Sequence, residues 1–103
     1  MIYNIWIDDM RPAPSKDNLV VFKNAEDAIK WFEKADEILN SDIFHFWLDH
    51  DLGSRKSGYD FAKWFIEWNM ETKIPMSFHL LTANPVGAFN IRQLFTHYGY
   101  SEF

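Results

Sequence analysis

The chain has 103 residues, 48% of them hydrophobic and 18% aromatic, which is one domain's length with enough apolar bulk for a core and excludes a disordered segment. It has no cysteine, so a disulfide framework, a thiolate zinc site and cysteine nucleophilic chemistry are excluded. A net charge of −5 and a pI of about 5.2 oppose non-specific binding to DNA or RNA backbone; a nucleotide or RNA-end ligand would need a local cation or metal. The opening MIYNIWIDDM has neither the positive start nor the long apolar run of a secretory signal, and no apolar run approaches the ~18–20 residues of a membrane span. The expectation is a soluble, cytoplasmic protein forming a single domain over residues 1–103.

In chain order, Tyr3 to Ile7 (YNIWI) reads as the first strand, apolar on both faces as in a sheet covered on two sides. Asp8 and Asp9 follow it directly, then Arg11. Met10 to Asn18, with Pro12 and Pro14, must reach the second strand, Leu19 to Phe22, without a helix. Its nine residues, extended at about 3.1 Å each, cover about 28 Å, enough to return the chain to the other end of the sheet; an antiparallel turn is the alternative. The first helix starts at Asn24, with Asp27 as its capping partner, and its apolar period is Ala25, Ala28, Ile29, Phe32, Ala35, Ile38 and Leu39. The third strand, Ile43 to Leu48, leads straight into Asp49, His50 and Asp51. A second helix starts at Ser57, with Asp60 at its third position, and buries Phe61, Ala62, Phe65 and Trp68. The fourth strand is Ser77 to Thr82. Asn84 then caps a third helix with Pro85 at its first position; it carries Val86, Ile91, Leu94, Phe95 and Tyr98, and Gly99 is its stop.

Strands alternating with helices predict an α/β fold: a mostly parallel four-stranded sheet of order 2-1-3-4, in three layers, with about three helices. In such a sheet ligands bind outside the carboxyl ends of the strands where the order reverses, here between the first and third strands. That places Asp8 and Asp9 beside Asp49, His50 and Asp51, with Thr82 and Asn84 at the same edge. Carboxylates crowded this way repel; one pair at 4 Å costs roughly 4 kcal/mol at an effective dielectric of 20. Either some hold a proton or a hard cation such as Mg²⁺ or Mn²⁺ sits among them. The structural alternative is that they are solvated loop residues and caps.

Arg11 suits bidentate phosphate contact or a salt bridge to one of the aspartates. The segment Asn84-Pro85-Val86-Gly87 opens a helix whose free N–H groups could hold an anion, and Gly87 would let a ligand approach; a plain cap is the other role for Asn84. His50 is a candidate acid or base, since imidazole titrates near neutrality, or a structural hydrogen-bond partner. His79 and His45 read as structural, and His97 as a charge complement at a helix end. Ser57 and Asp60 are explained by capping. Trp31, Trp64 and Trp68, at helical spacing, read as packing residues.

Taken together, IWIDDMRPAP, FWLDHDLG, SGYDFAKWF and LLTANPVGAFNI resemble the cyclic-phosphate-processing receiver-like family, whose domains look like two-component receivers with the first helix reduced to a loop. The resemblance implies action on cyclic phosphates of nucleotides or RNA ends. It carries Asp8, Asp9 and Arg11 from the first motif, Asp49, His50 and Asp51 from the second, and Thr82 and Asn84 from the last. Members often have a His directly before the small hydroxyl residue, where this chain has Leu81; His79 projects to the same face about 7 Å back. A phosphorelay receiver is the rival. Asp49 occupies its phosphoacceptor position, but the sequence shows neither a fifth strand nor the matching Lys, and Lys73 falls at the wrong end of the sheet.

The leading expectation is therefore a metal-dependent phosphoesterase. Asp8, Asp9 and Asp49 would hold Mg²⁺ or Mn²⁺, and Arg11, Thr82 and Asn84 would hold the phosphate. Asp49, His50 and Asp51 would carry the chemistry. The alternatives are a module that binds the nucleotide or cyclic phosphate without turnover, and a protein-interaction domain using the aromatic surface.

Overall fold

The computed structural model describes residues 1–34, 42–53 and 55–103. The open step after the first strand resolves as parallel: β1 (Ile2–Ile7) pairs β2 (Leu19–Phe22) with Asn4 opposite Leu19 and Ile7 opposite Phe22. The segment Met10 to Asn18 thus runs back along the sheet, as the extended reading requires. It lies over one face. The Trp6 indole donates to the Arg11 carbonyl at 3.4 Å, the Asn4 amide donates to the Asp17 carbonyl at 3.0 Å, and the Lys16 ammonium sits 4.9 Å from the centre of the Trp47 ring.

Beyond β2 come α1 (Ala25–Lys34), β3 (Ile43–Leu48), α2 (Gly58–Thr72), β4 (Met76–Leu80), α3 (Pro85–His97) and β5 (Ser101–Glu102). The sheet is parallel throughout, in order β2-β1-β3-β4-β5. The receiver-like α/β class stands, with two differences from the sequence reading. A fifth strand exists. Its two residues carry no apolar pattern; Phe103 N–H donates to the Phe78 carbonyl at 2.9 Å, and Glu102 receives Arg92 of α3 at 2.6 and 2.8 Å. The case against a phosphorelay receiver therefore loses its argument from a missing strand, while Lys73 does lie at the far end, as the left-handed C-cap of α2. And β4 ends at Leu80, so Leu81 and Thr82 stand just beyond it. Ala35, Ile38 and Leu39, assigned to the first helix from sequence, lie outside the described residues.

The crossovers β2→β3, β3→β4 and β4→β5 all step in one direction across the sheet. Right-handed connections then place all three helices on one face, where α2 packs between α1 and α3. Ile5, Ile7, Phe44, Phe46, Leu48 and Phe78 meet Phe32, Phe61, Phe65 and Phe95 there, all essentially inaccessible to solvent. Phe32 of α1 alone contacts the rings of Phe44, Phe46, Phe61 and Phe65. The layer on the second face is the Met10–Asn18 segment with Phe103, whose ring packs on Trp47, His45 and His79. At about 2 kcal/mol for each buried phenylalanine, this core outweighs the repulsion that the strand ends bring together.

The start of α2 is tied to the segment after β3. Gly58 N–H donates to the His50 carbonyl at 2.8 Å. Ser57 and Asp60 form the expected reciprocal cap: the Ser57 hydroxyl oxygen accepts from Asp60 N–H at 3.2 Å and the Asp60 carboxylate accepts from Ser57 N–H at 2.9 Å. Ser57→Ala is expected to lower the unfolding free energy by about 1 kcal/mol, read as a lower urea midpoint with unchanged slope.

Candidate functional site

The ladders of β1 and β3 run one residue past the strands. Asp8 N–H donates to the Phe22 carbonyl at 3.1 Å and Asp49 N–H to the Ile7 carbonyl at 2.9 Å. Because Ile7 pairs with Leu48, Asp8 and Asp49 are held side by side. Asp8, Asp9 and Asp49 each offer a carboxylate oxygen, and these lie within 4.8 Å of one another. The acidic cluster expected from the two motifs is therefore formed.

Its members differ in how they are satisfied. Asp8 is fully buried. One of its oxygens accepts from the backbone N–H of Met10 at 2.8 Å and of Arg11 at 2.9 Å, and the other accepts from the Arg11 guanidinium at 2.9 Å. Burial taken alone would raise its pKa, but the two backbone bonds and the Arg11 side chain together bring it below the ordinary aspartate value. Asp49 goes the other way. Burial first, and then the charge of Asp8, raise its pKa; the Thr82 hydroxyl, the His50 N–H and Arg11 oppose that without reversing it. Arg11 stands 3.7 Å from Asp49, so the salt-bridge reading of this residue is realised, with its side chain still 41% exposed.

Thr82 and Asn84 arrive at the same edge already engaged. Asn84 N–H donates to the Thr82 hydroxyl oxygen at 3.0 Å, and that hydroxyl donates in turn to Asp49. The Asn84 side chain accepts from Gly87 N–H at 3.0 Å as a plain N-cap. Pro85 has no N–H, so Val86 N–H is what the first turn of α3 retains for an anion.

Asp9 is the unbalanced member. Its Oδ1 is buried and has no hydrogen-bond partner, a costly condition for a carboxylate. Gly53 stands against its other oxygen, where a Cβ would come within 2.8 Å, and has a left-handed φ of +62°. Sequence reasoning passed over Gly53, although a glycine closing DHDLG is a turn signal. It also read Gly87 as an opening for a ligand. The space belongs to His50, whose ring would lie 2.5 Å from a Cβ at that position. The His50 Nδ1 donates to Asp51 at 3.0 Å, leaving Nε2 as the ring nitrogen without a hydrogen bond among the described residues.

A cleft opens over these groups, lined by Asp9, Arg11, Asp49, Asp51 and Thr82 together with Met10, Pro12, Gly53 and Ala83. Leu81 N–H donates to the Leu48 carbonyl at 2.9 Å, which sets Leu81 next to Asp49. His79 is one pleat back, with Nδ1 donating to the Phe103 carbonyl at 2.9 Å; its structural reading is the one observed. His45 packs on Phe103 and His97 on Tyr98, both away from the cleft. Among the described residues, no helix is long and apolar enough to cross a membrane.

A family model described as the cyclic-phosphate processing receiver domain matches residues 3–97, nearly the whole chain and all the residues that line the cleft. No curated protein and no solved structure matches the chain.

The opposite shifts of Asp8 and Asp49 give a pH test. Asp8, with a lowered folded pKa, contributes stability above the ordinary aspartate pKa of about 3.9 that is lost as pH falls through the lowered value. Asp49, with a raised folded pKa, withdraws stability as pH climbs from about 3.9 through the raised value. Asp49→Asn is therefore expected to raise Tm at neutral pH, without divalent ions. The gain should vanish in acid, where wild-type Asp49 is protonated. Thermal melts across pH check both halves.

Proposed function

We propose that this chain, which belongs to the cyclic-phosphate processing receiver domain family, is a divalent-metal-dependent phosphoesterase that opens the cyclic phosphate of a nucleotide or an RNA end. The observation that carries the metal part is the buried, unpartnered Oδ1 of Asp9 within a cluster of three carboxylate donors. Three carboxylates against one guanidinium leave two negative charges, and an all-oxygen donor set suits Mg²⁺ or Mn²⁺. Asp8, Asp9 and Asp49 would hold the ion, which when bound would polarise the phosphoryl group and acidify a water.

The chain's own groups divide the remaining work. Arg11 is half exposed at the cleft, already ionised, and has guanidinium donors to spare for phosphate oxygens. Val86 N–H, in the first turn of α3 beyond the cleft residue Ala83, would be a second donor. Thr82 and Asn84 act behind these, by orienting Asp49 and capping the helix. Ring opening adds water to phosphorus, breaks one P–O ester bond and leaves a phosphomonoester and a free hydroxyl. The departing oxygen needs a proton and the entering water must lose one. Asp51 faces the cleft, and His50, held by Asp51 and seated on Gly87, is next to it. This pair is the proton-handling group of the site. With Leu81 beside Asp49, no imidazole from β4 takes part.

Incubation with 2′,3′-cyclic nucleotides and Mg²⁺ or Mn²⁺ is expected to yield phosphomonoesters, followed by phosphorus NMR. Thermal stabilisation by the same compounds with no product across cyclic mono- and dinucleotides would identify a binding module instead. Asp9→Ala is expected to weaken Mn²⁺ binding in calorimetry by about tenfold or more; equal affinities would remove the metal assignment.

A further inference from the structure

The lining of the cleft mixes charged and uncharged residues. Met10, Pro12 and Ala83 are among the uncharged lining residues, and Met10 is 81% exposed. Its position is nonetheless fixed. Met10 N–H donates to Asp8 Oδ1 at 2.8 Å and Arg11 N–H to the same oxygen at 2.9 Å. The carboxylate at the centre of the acidic cluster thereby holds the backbone that presents the thioether, and the next proline but one stiffens the chain beyond it.

We infer that Met10, with Pro12 and Ala83, is the surface on which the substrate's base rests, and that the site does not distinguish one base from another. This rests on the reading of the cleft as a cyclic-phosphate site. An unbranched, polarisable thioether adapts to a flat ring and makes favourable sulfur–aromatic contact. Selecting among bases requires side-chain donors and acceptors aimed at base edges, left unpaired by the wrong base. The Met10, Pro12 and Ala83 side chains offer none. Among the described residues, the polar side chains of the cleft have other work in this reading: Thr82 with Asp49 and Asn84, Asp51 with His50, Asp9 and Asp49 with the ion, and Arg11 with Asp8 and the phosphate. The phosphate is recognised by charge and the base by contact alone. The substrate class is a nucleotide cyclic phosphate of any base, free or at a chain end, and a cyclic phosphate without a base is a poor ligand.

The test compares five probes on the full chain: the 2′,3′-cyclic phosphates of adenosine, guanosine, cytidine and uridine, and glycerol 1,2-cyclic phosphate. KM is read where there is turnover, and Kd by calorimetry otherwise. The four nucleotides are expected within about threefold of one another and the glycerol compound about tenfold weaker. Met10→Ser should close most of that gap and Met10→Leu should keep it. A spread among the nucleotides beyond about tenfold would show that the base is read and overturn the inference. Equal affinity for all five would overturn it too, while leaving the cyclic-phosphate reading in place. Binding of none of the five by the wild-type chain would remove that reading and the inference together.

Discussion

The parallel alignment of β1 with β3 is the constraint from which the site follows. Two backbone hydrogen bonds, Asp8 N–H to Phe22 and Asp49 N–H to Ile7, extend the ladders by one residue and leave two carboxylates no room to separate. The core makes this tolerable. Fully buried aromatics from three helices clamp the strands in register, so repulsion at the strand ends cannot be relieved by sliding one strand along another. It is relieved locally. Arg11 folds back on Asp8, Thr82 donates to Asp49, and backbone N–H groups from Met10, Arg11 and His50 supply the remainder.

These compensations are unequal, and the inequality is chemically useful. Asp8 accepts three hydrogen bonds, and these hold its pKa low in spite of burial. Asp49 has fewer, and Asp9 keeps a buried oxygen with none. Three aspartates of the same type, within a few ångströms, are thus an anchor, a titratable neighbour and an open acceptor. Environment alone makes the distinction.

Much of this was legible in the sequence because buried parallel strands read as unbroken apolar runs, and charge that ends such a run marks an edge. YNIWI ending in Asp8-Asp9 and IFHFWL ending in Asp49-His50-Asp51 showed which groups would meet. The caps at Ser57, Asn84 and Gly99 were equally plain, Gly99 with a left-handed φ of +87°. What escaped depended on contacts between distant residues. Ser101 and Glu102 form a strand through Arg92 and Phe78, not through a pattern of their own. Which aspartate takes Arg11 is decided by the turn that Asp8 itself organises. Gly87 looked like an entrance, yet it accommodates the ring of a residue 37 positions earlier. The one-sided helix layer was implicit in the strand order, since three successive crossovers in one direction and of one hand can only fall on one face.

The two oxygens of Asp8 have separate duties, and the separation has a mechanical consequence. Oδ1 staples the backbone of Met10 and Arg11, while Oδ2 alone meets the guanidinium. In the phosphate-binding role proposed for Arg11, its head group would be free to turn towards an anion without unfastening the turn it grows from. The loop would then be a fixed pivot with a movable arm, exchanging an internal ion pair for an external one while its frame stays where it is.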